Sequence, residues 1–310
     1  MNRNCNNATV GWLLKGDPSI RYQTLRDLTD APDEEVLAAR LQIAKKGWGR
    51  RLLDLQDHTG TWARRLYSPK WISTTYTLLE LKGLAITPEA SVIRACMILL
   101  DKGFYHDGGI NLGFKSIDYS ETCVTGMVLS LLCFFGIRDD RIHEIAAHLL
   151  KQQMKDGGWN CQSYKGAIHS SFHTTISVLE GLWDYKKLTG ISGGETGPAR
   201  VAGMEFLLKH RLFRSDKTGE VVNPAMLRFS FPPRWKYDIM RCLDYAQDAG
   251  CKRDERFSDA MDILKKKQKK DGRWPLQGKH TGRVHFDMEA PGKPSRWNTL
   301  RALRILKWWE

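Results

Sequence analysis

The sequence predicts an all-helical fold made of repeated helical hairpins in two layers. Three observations predict it. Gln-x-x-x-Gly-x-Trp occurs three times, as Gln56–Trp62 (QDHTGTW), Gln153–Trp159 (QMKDGGW) and Gln268–Trp274 (QKKDGRW). Each copy ends an amphipathic run, and each is followed by a loop and a second, more apolar run. No segment shows a strand pattern of comparable strength. Self-similarity of this kind marks units that bury their apolar faces only by stacking on one another.

The first runs of the five units are Leu37–Leu55, Ser91–Lys102, Ile142–Gln153, Arg200–His210 and Phe257–Lys269, with apolar residues three and four apart. The second runs are Ile72–Leu81, Glu121–Leu132, Phe172–Leu182, Tyr237–Tyr245 and Trp297–Leu306. Aligning them places Leu79, Leu129, Leu179, Leu243 and Leu303 at one equivalent position, 50, 50, 64 and 60 residues apart. The richer content of Leu, Val, Ile and Thr assigns the second runs to an inner layer and the charged first runs to an outer one. Gly11 to Leu28 adds a further helical element, split at Gly16-Asp17-Pro18, within an N-terminal segment at about 8–30. The signature Trp and Gln residues are expected to pack one unit on the next. With no linker between units, residues 1–310 read as one domain, with the five clear repeats over about 34–310. The loops Tyr105–Tyr119 and Phe213–Pro233 are long, as functional loops often are.

Composition narrows the function. Apolar residues make up 42% of the chain, enough for a large core, yet no run of eighteen exists to span a bilayer. The first residues, MNRNCNNATVGW, lack a secretory leader. Seven cysteines show no disulfide-framework spacing, so a reducing cytoplasm is the expected location. A net charge of +13 is compatible with nucleic acid, an anionic surface or an anionic small ligand. No nucleic-acid motif is present, and Lys265–Lys270 reads as a solvated helix end, so a nucleic-acid partner is not expected.

The three signatures carry a resemblance. Gln-x-x-x-Gly-x-Trp resembles the repeat shared by squalene and oxidosqualene cyclases and the β-subunits of protein prenyltransferases. Over residues 34–310 this implies an α/α toroid (an α6/α6-type barrel), two concentric rings of helices around a cavity for isoprenoid chains or diphosphates. The cyclase branch initiates with the middle Asp of Asp-x-Asp-Asp, which this chain lacks; Asp139-Asp140 and Asp254-Glu255 read as acids of helix first turns. The prenyltransferase branch resembles the chain in another way. Its zinc ligands are an Asp-x-Cys beginning one inner helix and a His beginning the next. Here Glu121-Thr-Cys123 and His173 stand at those places, Cys123 and His173 at one repeat position 50 residues apart. Ser73, Tyr237 and Trp297 are its equivalents in other units.

The resemblance therefore implies a zinc cofactor held by Glu121, Cys123 and His173, activating a thiol or water in transferase chemistry. Cys161 is a candidate fourth ligand that would close the site into a structural one. The alternative reading is a small apolar Cys and a hydrogen-bonded His. The chain departs from the family in having Glu121 in place of Asp, Val124 in place of Tyr, and only Lys115 as a preceding basic residue. A separate partner subunit, as prenyltransferases use, stays open, and a protein prenyltransferase is not expected.

If the loops entering the inner helices line the cavity mouth, they bring Lys70, Trp71, Lys115, Asp118, Tyr119, His169, Arg234, Trp235, Lys236, Tyr237, Arg296 and Trp297 to it. Of these, Lys115, Tyr119, Trp71, Arg234, Tyr237 and Trp297 are the candidate substrate-binding residues, suited to an anionic head and an apolar tail. Repeat packing is the competing role for Trp71, Trp235 and Trp297, and His285 reads as a surface residue. Two alternatives accompany the zinc enzyme: a metal-independent terpene cyclase-like enzyme, and a non-catalytic toroid binding lipid or peptide.

Overall fold

The structure is a computed structural model that describes residues 3–113, 117–191 and 194–310. The described residues form thirteen α-helices and one two-residue strand pair. Six helices belong to an inner layer: α2 (Pro18–Leu28), α5 (Thr74–Gly83), α7 (Thr122–Phe134), α9 (Phe172–Thr189), α11 (Ile239–Asp248) and α13 (Arg296–Trp309). Around them run α1 (Arg3–Leu14), α3 (Asp33–Leu41) with α4 (Gly47–Leu53), α6 (Ala90–Gly103), α8 (Arg141–Lys151), α10 (Thr196–Lys209) and α12 (Ser258–Lys266). Burial separates the layers as composition predicts: α7 buries residues on every face, whereas α3 buries Ala39 alone. Strands β1 (Trp274–Pro275) and β2 (Pro294–Ser295) pair antiparallel and tie off a loop over residues 276–293. None of the described helices is long and apolar enough to cross a membrane.

The inner layer closes on itself. α5 packs on α7, α7 on α9, α11 on α13 and α13 on α2. Side chains bridge the remaining seams. Arg241 of α11 donates two hydrogen bonds to Glu180 of α9, at 2.8 and 2.7 Å. Gln23 of α2 donates to the Gly83 carbonyl of α5 at 2.9 Å. The circuit α2–α5–α7–α9–α11–α13–α2 is complete, and α2 is its sixth member, the part of the N-terminal segment that the repeat signature does not mark.

Each signature works the same way three times. The indole Nε1 of Trp62, Trp159 and Trp274 donates at 2.7 Å to a carbonyl ten residues back, of Leu52, Leu149 and Leu264, in or beside the last turn of the outer helix, where carbonyls lack helical partners. The Trp backbone N–H is accepted by a threonine of the following inner helix: Thr74 at 3.1 Å, Thr175 at 3.0 Å and Thr299 at 3.0 Å. Gln56 and Gln153 then reach the next unit, donating to the carbonyls of Ser91 and Ala199 at 2.9 and 2.8 Å. All three tryptophans are fully buried. The signature is therefore a packing device, with its glycine at φ +83, +93 and +79, where a side chain is disfavoured.

Two details depart from the sequence reading. The run Leu37–Leu55 is two helices, broken over 42–46. Gly47 sits at φ +73, and a Cβ there would stand 2.2 Å from Asp17 Oδ2; that carboxylate caps α2 by accepting from Ser19 N at 3.0 Å and also accepts from Trp48 N at 2.8 Å. Second, α7 and α9 approach through Gly126 and Gly181. A Cβ on Gly181 would lie 2.5 Å from the Gly126 carbonyl oxygen, so the seam requires glycine.

Candidate active site: the cavity inside the inner ring

The inner helices enclose a cavity of about 490 Å³. Its wall changes character along the ring axis. At the end where the inner helices finish, Arg26, Lys187 and Asp248 are 43%, 45% and 58% exposed. Deeper in, Glu80 of the last turn of α5 and Arg234 of the loop entering α11 are each 6% exposed. The cavity opens beside the exposed C-terminal ends of the inner helices, and Phe231, Pro232, Pro233 and Arg234 of the loop entering α11 form its floor. Cations at the mouth (Arg26, Lys82, Lys187, Arg304) stand where helix dipoles favour them.

Below the mouth runs a belt of ion pairs and hydrogen bonds that links helices of the ring. Lys82 of α5 pairs with Asp184 of α9 at 2.5 Å, and Ser130 of α7 donates to the same oxygen at 2.7 Å. Asp184 also pairs with Lys187 at 2.8 Å. Asp244 of α11 receives Arg304 through two bonds of 2.6 Å and Arg301 at 3.1 Å. Arg304 continues to Gln23 and Asp27 of α2 at 3.2 and 3.3 Å. Burial works against the Asp184 and Asp244 carboxylates, but their cationic partners outweigh it and hold both carboxyls below the ordinary range. They stay ionised, and each buried charge has a partner, which is the condition for tolerating it.

The floor is aromatic around one buried pair. Arg234, at φ +60, lies against Glu80 of α5, with its guanidinium 5.3 Å from the Trp71 ring centre. Burial lowers the Arg234 guanidinium to about 10. Trp71 meets Tyr76 edge-on at 4.8 Å, and Phe231 stacks on Trp297 at 4.3 Å. Leu79, Pro232, Pro233 and Met288 complete the apolar lining. The 276–293 loop is fastened over this end: Trp71 Nε1 donates to the Thr281 carbonyl at 2.6 Å, and His285 Nε2 shares a 2.9 Å hydrogen bond with Thr77. His285 is thus half-buried in a fixed contact rather than a free surface group.

The sequence-predicted residues distribute as follows. Arg234 and Trp297 line the cavity, and Trp71 stands behind Arg234. Tyr237 is buried elsewhere, its hydroxyl donating to the Leu212 carbonyl at 2.6 Å. Tyr119 lies on Tyr164, ring centres 3.7 Å apart, away from the cavity. Lys115 falls outside the described residues. Cys123 and Cys161 come together with a thiol–thiol hydrogen bond, which pulls the Cys161 thiol down to about 6 and pushes Cys123 well up. Glu121 is close by, its carboxyl raised by burial against the opposing pull of Lys70. His173 faces the other way: its Nδ1 accepts the Tyr237 N–H at 2.8 Å and its ring meets Trp235 at 5.1 Å. Burial, then Arg241, lowers its imidazole to about 4.

Cys123 and His173 do share a repeat position. Each uses it to touch the segment entering the next inner helix, so the two do not converge. Among the described residues no three His, Cys, Asp or Glu side chains come together to hold a metal ion. The donor set Glu121, Cys123, His173 and Cys161 does not fit zinc in this arrangement, and no chemistry is assigned through a metal. Missed by sequence reading were the belt residues Glu180, Asp184, Arg241, Asp244, Arg301 and Arg304, and Glu80 of the floor pair. For the belt residues the signal was present: charges three or four apart inside otherwise apolar inner helices.

In its helical build the chain is similar to several solved structures of low sequence identity. A variant of the type II terpene cyclase MstE from Scytonema, in complex with geranylgeranyl dihydroxybenzoate, is similar with 16% identity and a TM-score of 0.45, over 88% of this chain and 80% of that one. A second MstE variant, in complex with merosterolic acid A, gives 16% and 0.48, over 99% and 96%. A protein from Actinoplanes gives 16% and 0.47, over 94% and 88%. No protein-family model matches the chain, and neither does any curated protein.

Proposed function

We propose that this chain takes an isoprenoid or similarly apolar chain into the ring cavity and acts on it there without a metal, as a terpene cyclase-like enzyme. The observation that carries the reading is the closed inner ring with an interior of about 490 Å³ and an aromatic floor. That size is in the range of small-ligand sites. An aromatic-lined floor excludes water from a reactive chain, and the faces of Tyr76 and Phe134 would stabilise positive charge developing on it. Asp184 and Asp244, held ionised, are suited to balance that charge or accept a proton, not to supply the first one.

The test is incubation of the purified chain with farnesol, geranylgeraniol and their diphosphates, with and without a chelator, followed by native mass spectrometry and gas chromatography of extracts. Chelator-insensitive binding and a new cyclic or rearranged product are expected. Absence of binding to all four would overturn the reading.

A further inference from the structure

The formal charge of +13 is not spread evenly over the ring. The segments that lead into the inner helices, 54–73, 104–121, 152–171, 210–238 and 267–295, share one end of it. Together they carry nineteen Lys and Arg against twelve Asp and Glu, a net of +7. The segments that leave the inner helices at the other end, 29–32, 84–89, 135–140, 190–195 and 249–257, carry four against seven, a net of −3. Several acids of the entering segments hold the backbone of those segments: Asp57 accepts from Thr59 N at 2.8 Å, Asp107 from Ser120 N at 2.9 Å and Asp156 from Ser170 N at 2.8 Å. Arg64, Arg65, Lys165, Arg283 and Lys293, by contrast, are exposed and form no ion pair among the described residues. The segments also touch one another. Lys70 lies 5.1 Å from the Trp235 ring centre, Trp71 Nε1 reaches the Thr281 carbonyl, and Tyr119 lies on Tyr164. On this basic end stands Ile168, at 80% the most exposed large apolar side chain among the described residues, with Tyr164 beside Lys165 at 48%.

We propose that this end of the ring docks on an anionic phospholipid surface, its cations meeting head-group phosphates while Ile168 and Tyr164 enter the interface. Unpaired bases near such a surface are attracted to it, and the starts of the inner helices add positive potential at the same end. An aliphatic side chain gains by leaving water for the acyl boundary, and a tyrosine suits the boundary itself, with one end apolar and the other wet. A nucleic acid would use the bases, since its binding is driven by its phosphates, but would gain nothing from a protruding isoleucine. Docking at this end leaves the cavity mouth, beside the opposite ends of the inner helices, uncovered. It is independent of the chemistry proposed for the cavity.

The experiment sediments the full chain with vesicles of phosphatidylcholine alone and of phosphatidylcholine and phosphatidylglycerol in equal parts. Wild type should bind the mixed vesicles only, and release them as salt rises. Two double variants carry the same net charge as each other: Lys165→Glu with Arg283→Glu on the basic end, and Lys252→Glu with Arg253→Glu, exposed residues of the opposite end. The first should weaken binding by about 25-fold or more, at about 5-fold for each lost cation, and the second by less than about 3-fold. Ile168→Ser should weaken it by about 10-fold, the scale of burying one isoleucine. Melting curves establish that the variants are folded. No binding to the mixed vesicles at low salt, equal losses in the two double variants, or full affinity in Ile168→Ser would each overturn the inference. Binding to a DNA oligonucleotide without binding to vesicles would overturn it too, and would assign the basic end to nucleic acid.

Discussion

Removing the Asp184 carboxylate should destabilise the chain more than any surface charge would. The group is 4% exposed and accepts from Ser130, Lys82 and Lys187, so it joins α5, α7 and α9 at one point. Deleting one partner of a buried pair costs about 3–5 kcal/mol. Lys82 and Lys187 are 21% and 45% exposed, so water recovers part of their loss. The low end applies: about 3 kcal/mol for Asp184→Ala, or about 6 °C in melting temperature at about 2 °C per kcal/mol for a chain of this size. Asp184→Asn, which keeps the shape and the Ser130 contact, should lose about half as much.

The pH dependence has a definite sign. The folded carboxyl titrates below its ordinary 3.8, so its contribution is complete above pH about 4 and is lost as pH falls through the folded value. Urea unfolding of wild type and variant at pH 7 and at successively lower pH measures both effects. A difference below about 1 kcal/mol at pH 7, or one that does not shrink on acidification, would refute the reasoning.

Three further outcomes follow. Gly181→Ala would press a methyl group to within 2.5 Å of the Gly126 carbonyl and force α7 from α9; a loss of about 1–3 kcal/mol is expected by urea unfolding, and an unchanged midpoint would contradict the close-packed seam. Alkylation of Cys161 by iodoacetamide should rise through pH about 6, and Cys123→Ala should move that midpoint upward by removing the thiol hydrogen bond; an unshifted midpoint would separate the two cysteines. Elemental analysis of chain purified without chelator should find well under one zinc per chain; stoichiometric zinc lost in both Cys123→Ala and His173→Ala would reinstate a metal centre that the present arrangement of donors does not form.

The fold was legible because its signature is a contact set repeated in order. Trp62, Trp159 and Trp274 each donate to a carbonyl ten residues back and, through the backbone N–H, to the equivalent threonine of the next inner helix, so local sequence encodes local geometry. The second unit keeps the geometry without the words: Ile110 N donates to Thr125 at 3.0 Å, with Asp-Gly-Gly before it but no Trp. α2 was harder to place, because it joins the ring through residues from the far end of the chain. The site was less legible for the same reason. Arg301, Arg304 and Asp244 show as charges in apolar helices, but their pairing depends on which helices become neighbours. The position shared by Cys123 and His173 was real, yet equivalence under the repeat carries each to the next unit rather than toward the other.

The ring is shut by residues 281 apart, Gln23 and Arg304. Hairpins can form and stack early from contacts within and between adjacent units, but the cavity has no wall between α11 and α2 until α13 docks. Closing so long a span is the entropically slow step. The binding chamber therefore comes into existence late and all at once, and a ligand can stabilise only the finished ring, never a shorter stack of repeats.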